Sequence, residues 1–323
     1  MAALSTRRLG ADGPAITSIG LGCMSMSWAY YLGERDDDES VRVVRRAIEA
    51  GVRHLDTASM YGPFTNERIV GRALAGGVDG VVVASKCGLV VDDPVRRVIR
   101  RDGTPEGIRR TCDESLQRLG LDVIDLYYLH RVDPAVPVEE SWGALAELVA
   151  AGKVRHLGLS ECTTDELERA HAIHPVAALQ SELSLWTRDR IADGQVAWCA
   201  AHGVTFVAFG VVGRGFLTGA LAPGTAFRAD DFRASNPRFT PEAMAANMAL
   251  VERLRAIGAR HGATPAQVCI AWVLALGAHV VAIPGTKQRA YLDEDLGADA
   301  LRLSAEDIAE LDALPPAVGS RYA

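Results

Sequence analysis

Short apolar or alternating runs recur along the chain. Each is followed by a longer stretch in which apolar positions return every three or four residues, the pattern of strands followed by amphipathic helices. The opening, from Arg7 to Gly13-Pro-Ala-Ile16, predicts a small hairpin or plug with turn residues in its middle. A first strand is expected over Ser18-Ile-Gly-Leu-Gly-Cys-Met24. A helix then opens on the acids Asp36 to Glu39, carries Val41, Val44 and Ile48 on one face and stops at Gly51. Further strands are predicted at 53–58, 80–86, 123–129, 154–160, 177–183, 204–211 and 280–283. Helices are predicted over 66–75, 104–119 and 137–151, from the Thr163 cap onward, and over 191–202. A long glycine-bearing loop, 212–240, precedes helices at 241–260 and 264–276, and helices at 288–296 and 304–314 lead into the tail 315–323.

Eight strands alternating with helices, with no linker-like stretch, predict an α/β chain folded as one (β/α)8 TIM barrel over residues 1–323. An N-terminal hairpin and extra C-terminal helices are added to it. An open doubly wound sheet is the alternative. No Gly-x-Gly-x-x-Gly joins the first strand to the first helix, which counts against its dinucleotide-binding form.

Composition narrows the function. A hydrophobic content of 49% and a net charge of −7 describe a globular protein without a nucleic-acid footprint or a polybasic membrane surface. No apolar run reaches transmembrane length and the N-terminus has no apolar signal core, so a cytoplasmic protein is expected. The six cysteines stand singly, which supports neither a zinc site nor a disulfide framework, and no metal is expected. Of 34 basic residues only Lys86, Lys153 and Lys287 are lysine. A titratable amine in so arginine-rich a chain merits weighing at each position.

In a barrel the C-terminal ends of the strands face the reaction site. Three neighbouring strands there deliver Asp56, Tyr61, Lys86 and His130. Taken singly, each has an ordinary structural explanation as a turn cap, a loop anchor or a solvated charge. Together on one rim they suit proton transfer to a carbonyl oxygen. A free phenol, with a pKa of about 10, is a poor acid at neutrality. An adjacent ammonium is expected to lower that pKa, a carboxylate to hold the ammonium, and a neutral imidazole to orient the oxygen. No metal-ligand cluster and no Gly-x-Ser-x-Gly elbow is present, which counts against hydrolysis. The later strands offer Ser160-Glu161, Gln180 and Phe209, a glycine-rich run from Gly210 to Gly219, and Ile283-Pro-Gly-Thr-Lys287 before a helix N-terminus. Backbone of that kind can approach phosphates.

Over essentially its whole length the chain resembles the aldo-keto reductases. The carrying segments are Gly20-Leu-Gly-Cys-Met, Leu55-Asp-Thr-Ala-Ser-Met-Tyr-Gly, Ser85-Lys86, Asp125-Leu-Tyr-Tyr-Leu-His-Arg, Gly152-Lys-Val-Arg-His-Leu-Gly-Leu-Ser, Gln180-Ser-Glu, Gly213-Arg-Gly-Phe-Leu-Thr-Gly and Ile283-Pro-Gly-Thr-Lys. Ser184-Leu-Trp-Thr-Arg and the tail Gly319-Ser-Arg-Tyr-Ala are similar to the branch containing pyridoxal reductases and plant perakine reductase. The resemblance implies reduction of aldehydes or ketones by NADP(H), with Tyr61 as general acid, Lys86 and Asp56 tuning it and His130 placing the carbonyl. It implies cofactor contacts at Gly22, Met24, Ser160, Glu161, Gln180, Phe209, Gly210, Val211, Gly213, Gly215, Gly285, Thr286, Lys287, Gln288, Tyr291, Glu294 and Asp295.

The substrate, a small aldehyde or ketone, is expected to meet Trp28, Tyr30, Tyr31, Leu89 and Trp186, with Met24 at its border. Where the family usually has Tyr-Ser-Pro-Leu, this chain has Phe209-Gly-Val-Val. Ser59 stands where an acid is common, and Glu294-Asp295 where Glu-Asn is common. Two other readings remain open. One is an NADPH-binding redox sensor similar to the potassium-channel β-subunits, and the other a Schiff-base lyase using Lys86. Oligomeric state is left open.

Overall fold

The computed structural model describes residues 3–30, 35–96 and 98–321. Its twelve strands are β1 (Thr6–Arg8), β2 (Ala15–Thr17), β3 (Leu21–Gly22), β4 (His54–Asp56), β5 (Val82–Cys87), β6 (Leu89–Asp93), β7 (Val98–Arg101), β8 (Ile124–Leu129), β9 (Val154–Ser160), β10 (Ala178–Glu182), β11 (Thr205–Phe209) and β12 (Val280–Ala282). The helices are α1 (Asp37–Glu49), α2 (Asn66–Leu74), α3 (Pro105–Leu119), α4 (Val138–Ala150), α5 (Thr164–Ile173), α6 (Asp189–Ala192), α7 (Gln195–Ala201), α8 (Pro241–His261), α9 (Pro265–Ala275), α10 (Arg289–Gly297) and α11 (Ala305–Asp312). Several of their starts follow from capping. Asp36 accepts from the Glu39 N–H, Thr104 precedes Pro105, and Thr163 with Glu166 and Thr264 with Gln267 form reciprocal boxes. None of the described helices is long and apolar enough to cross a membrane.

Eight strands form one parallel sheet in the order β3, β4, β5, β8, β9, β10, β11, β12. Parallel bridges from Ile19 to Ala282 and from Gly22 to Gly285 join its two ends and close the (β/α)8 barrel. Alternation divides each strand between an outer face under the helices and an inner face. Val82, Ala84, Leu126, Tyr128, Ala178, Val207 and Val281 fill the interior. Leu9 and Ile16 from the β1–β2 hairpin pack beneath them as the expected plug. Further along the same inward-facing positions, at the C-terminal ends, the residues turn polar: Asp56, Lys86, Ser160 and Gln180.

Three local expectations need correction. The first strand shrinks to two residues, and Met24 enters a 3-10 turn instead. The helix predicted over 191–202 is two, α6 and α7, because Gly194 interrupts it at φ +81°. The antiparallel hairpin β6–β7 falls where no element was expected. Its strands carry Asp92, Asp93, Arg100 and Arg101 and have no fully buried position, so they lack the apolar face of a barrel strand.

Candidate active site

The turn after β4 is fixed before any reactive group is considered. Asn66 receives a hydrogen bond from Thr57 Oγ1 at 2.6 Å and donates to Cys23 C=O at 2.9 Å and Ser27 Oγ at 2.7 Å. Ser59 donates its hydroxyl to the Lys86 carbonyl at 2.9 Å, which ties the turn to β5. Ser59 is therefore a backbone anchor. The turn presents Tyr61 over the barrel mouth.

Beneath it, Lys86 is fully buried. Its ammonium pairs with Asp56 Oδ1 and donates to Thr57 C=O at 2.7 Å, while Gln180 Nε2 donates to Asp56 Oδ2 at 2.7 Å. Burial pulls the lysine pKa down, but the Asp56 carboxylate and then Tyr61 outweigh it and leave the amine above its ordinary value. Lys86 stays an ammonium. Its nitrogen lies 5.2 Å from the centre of the Tyr61 ring, and the His130 ring meets Tyr61 edge-on with centroids 5.8 Å apart.

Two consequences follow. Burial, with Arg131 and Lys86 nearby, pushes the His130 pKa well below its ordinary value, so the imidazole is neutral at pH 7. Burial also raises the Tyr61 pKa, and the downward pull of Lys86 does not cancel it. The expectation that the ammonium lowers the phenol below its ordinary value is thus corrected. Desolvation wins in the free protein, and Tyr61 holds its proton.

A cavity of about 680 Å³ runs from this cluster across the rim. Its lining gathers Gly22, Met24, Asp56, Tyr61, His130, Ser160, Gln180, Phe209, Gly210, Val211 and Gly215, and at the far end Gly285, Thr286, Lys287, Gln288, Tyr291, Glu294 and Asp295. Trp28, Tyr30 and Leu89 line it beside Tyr61. Glu161, Gly213 and Trp186 do not. Trp186 stacks on Phe216 at 4.6 Å and is edge-on to Phe239 at 5.6 Å, so it packs the loop from below. Gly213 is buried against that same indole. Tyr31 lies outside the described residues.

Glu161 takes part in a charge network on the rim. It sits at φ +54°, an uncommon conformation for a side-chain-bearing residue. Its carboxylate accepts the Glu182 N–H at 2.8 Å and two hydrogen bonds from Arg321, at 2.8 and 2.9 Å. Arg321 also reaches Glu182 at 2.7 Å, and Glu182 pairs with Arg214 at 3.1 Å. These bonds pin the C-terminal tail across the ends of β9 and β10. At the opposite end, burial and the neighbouring Glu294 push the Asp295 carboxyl up to about 8.

Arg131, Ile99, Phe232 and Arg233, which carry no expected role, also line the cavity. The signal for Arg131 was its place directly after His130. Ile99 comes from the unforeseen hairpin. Phe232 and Arg233 come from the long loop, whose Phe232 N–H reaches Ala29 C=O at 2.8 Å.

The comparisons agree with this architecture. The profile of the aldo/keto reductase family matches residues 18–315. A curated relative, probable aldo-keto reductase 1 of Glycine max, is 39% identical over 320 residues, covering 98% of this chain and 91% of its own. Among solved structures, the glycerol dehydrogenase AKR11B4 from Gluconobacter oxydans superposes with a TM-score of 0.86 at 30% identity, covering 97% of this chain and 95% of its own. The thermostable aldo-keto reductase Tm1743, solved with the inhibitor epalrestat, gives 0.76 at 28% identity, with 96% and 99% covered. On the family profile and the full-length relative together, this chain belongs to the aldo/keto reductase family, and so to the oxidoreductases.

Proposed function

We propose that the protein reduces aldehydes or ketones to alcohols with NADP(H), Tyr61 giving its proton to the carbonyl oxygen. The observation that carries this reading is the buried Asp56–Lys86 pair under a protonated Tyr61, with neutral His130 against its ring. His130 can donate a hydrogen bond to the substrate oxygen and hold it near the phenol. As the proton leaves Tyr61, the ammonium 5.2 Å from its ring stabilises the growing phenolate. Asp56 and Gln180 keep that ammonium in place throughout.

The cavity volume falls within the range of small-molecule and cofactor sites, about 300–1,000 Å³. Its donor set fits a dinucleotide. Ser160 Oγ accepts from Arg131 at 3.2 Å, which leaves its own proton for an amide oxygen. Phe209 offers a ring face. The run 210–215 and segment 285–288 offer backbone, and α10 starts without a side-chain cap on its first N–H groups. Lys287 and Gln288 supply polar side chains for a 2′-phosphate, and Glu294 and Asp295 border the adenine end. When bound, the reduced nicotinamide supplies the hydride.

The apolar wall of Trp28, Leu89, Met60 and Ile99 favours an apolar or aromatic carbonyl compound. The Ser184–Arg188 run and the anchored tail support placement near the pyridoxal and perakine reductases. Nothing in the site favours the lyase reading, because an ammonium has no lone pair with which to attack a carbonyl. A fluorescence titration with NADPH and NADH, followed by an aldehyde panel including pyridoxal, tests the proposal. NADPH is expected to bind more tightly and to be oxidised. Failure of both nucleotides to bind overturns it.

A further inference from the structure

The arginines around the cavity differ in what answers their charge. Arg214 meets Glu182, Arg233 meets Asp231 at 2.7 Å, and Arg321 meets both Glu161 and Glu182. Arg131 is different. It is half-buried and lines the cavity next to His130, yet among the described residues no carboxylate lies within 4.0 Å of it. Its two hydrogen bonds leave from one nitrogen, Nη1, to His130 C=O at 2.6 Å and Ser160 Oγ at 3.2 Å. Both acceptors are neutral. The rest of its planar donor fork is left for something else, and such a fork matches a carboxylate.

We propose that Arg131 forms a subsite for an anionic substituent, a carboxylate, on the carbonyl substrate. Tyr61 and His130 would hold the carbonyl oxygen, the wall of Trp28, Leu89 and Ile99 the apolar body, and Arg131 the charged end. Electrostatics agree: Arg131 raises the local positive potential enough to weigh on both Tyr61 and His130. A carboxylate is poorly served by the apolar wall, so its recognition must come from such a cation. This inference rests on the reductase reading and names a class of substrate for the same site.

The test uses 2-, 3- and 4-carboxybenzaldehyde against the methyl esters of the same acids, which match the ring and remove the charge. For at least one isomer the wild-type protein is expected to prefer the acid in kcat/KM. Arg131→Met is expected to lower that acid-to-ester ratio at least tenfold through KM, and Arg131→Lys to keep part of it. Binding of phthalate, isophthalate and terephthalate, followed by calorimetry, reads the same subsite without turnover and is expected to weaken at least tenfold in Arg131→Met. A wild-type preference for every ester, an equal fall for acid and ester, or dicarboxylate binding unaffected by the substitution overturns the proposal. If no aldehyde is reduced, the reductase reading fails, and the calorimetric titration still decides on Arg131.

Discussion

The residue whose surroundings decide most is Lys86, because a fully buried ammonium persists only beside its counter-charge. Lys86→Met leaves Asp56 buried without its cation and should destabilise the protein by about 3–5 kcal/mol in urea unfolding. Adding Asp56→Asn should restore a good part of that loss, since no bare charge remains. A Lys86→Met variant as stable as wild type would show that the pair is not what the geometry indicates. Asp295 makes the opposite case. Its carboxyl is pushed up to about 8 in the folded protein, against an unfolded value near 3.9. Its contribution to stability is therefore fully present below pH 4 and is lost as pH rises towards 8. Asp295→Asn removes the titration, so its melting temperature should gain on wild type between pH 5 and pH 8. A constant difference across that range would contradict the account. The placement of Asp56, Tyr61, Lys86 and His130 on one rim was legible in the sequence because each lies near or just beyond the end of a recognisable strand. The balance of forces on Tyr61 was not, because desolvation depends on how closely the whole rim packs around the ring.

At the scale of elements, the strands were legible where a short run is mostly apolar and turns polar only near its end, as in Val82–Cys87, or keeps one face apolar, as in Ile124–Leu129. The β6–β7 hairpin was not, because Asp92, Asp93, Arg100 and Arg101 cut its apolar runs short and neither strand has a fully buried position. The loop 212–240 was equally opaque, since tertiary contacts such as Trp186 against Phe216 organise it more than its own periodicity does. Inside the barrel, Gly158 of β9 pairs with Tyr128 of β8 and Ala178 of β10. A Cβ there runs into the Tyr128 ring and stands 3.0 Å from the Ala178 carbonyl oxygen. Gly158→Ala should thus overpack the interior, at a cost of about 1–3 kcal/mol. Thermal unfolding of the variant would show this as a lowered melting temperature, and an unchanged one would mean the interior is looser than described.

For the molecule as a whole, eight strand ends converge on one cavity, which is why residues as distant in sequence as Gly22 and Asp295 share it. The strand–helix rhythm made the barrel legible. It could not show that residues 318–321 return to the rim, since the tail has no periodicity of its own and is held by Asn247, Arg238 and Glu161. A ligand bound across this cavity stabilises the fold by mass action, so NADPH at about 100 times its Kd should add about 2.7 kcal/mol. No rise in melting temperature with NADPH would remove the cofactor assignment.

The proposed reduction turns on proton delivery by Tyr61. It is tested most directly by Tyr61→Phe, with NADPH binding and NADPH oxidation against a reactive aldehyde followed in the same preparation. Binding within a few-fold of wild type, with turnover lowered by at least about 100-fold, is the predicted result. Turnover retained in the variant contradicts the account, and binding without turnover in the wild type would make the barrel a nucleotide sensor.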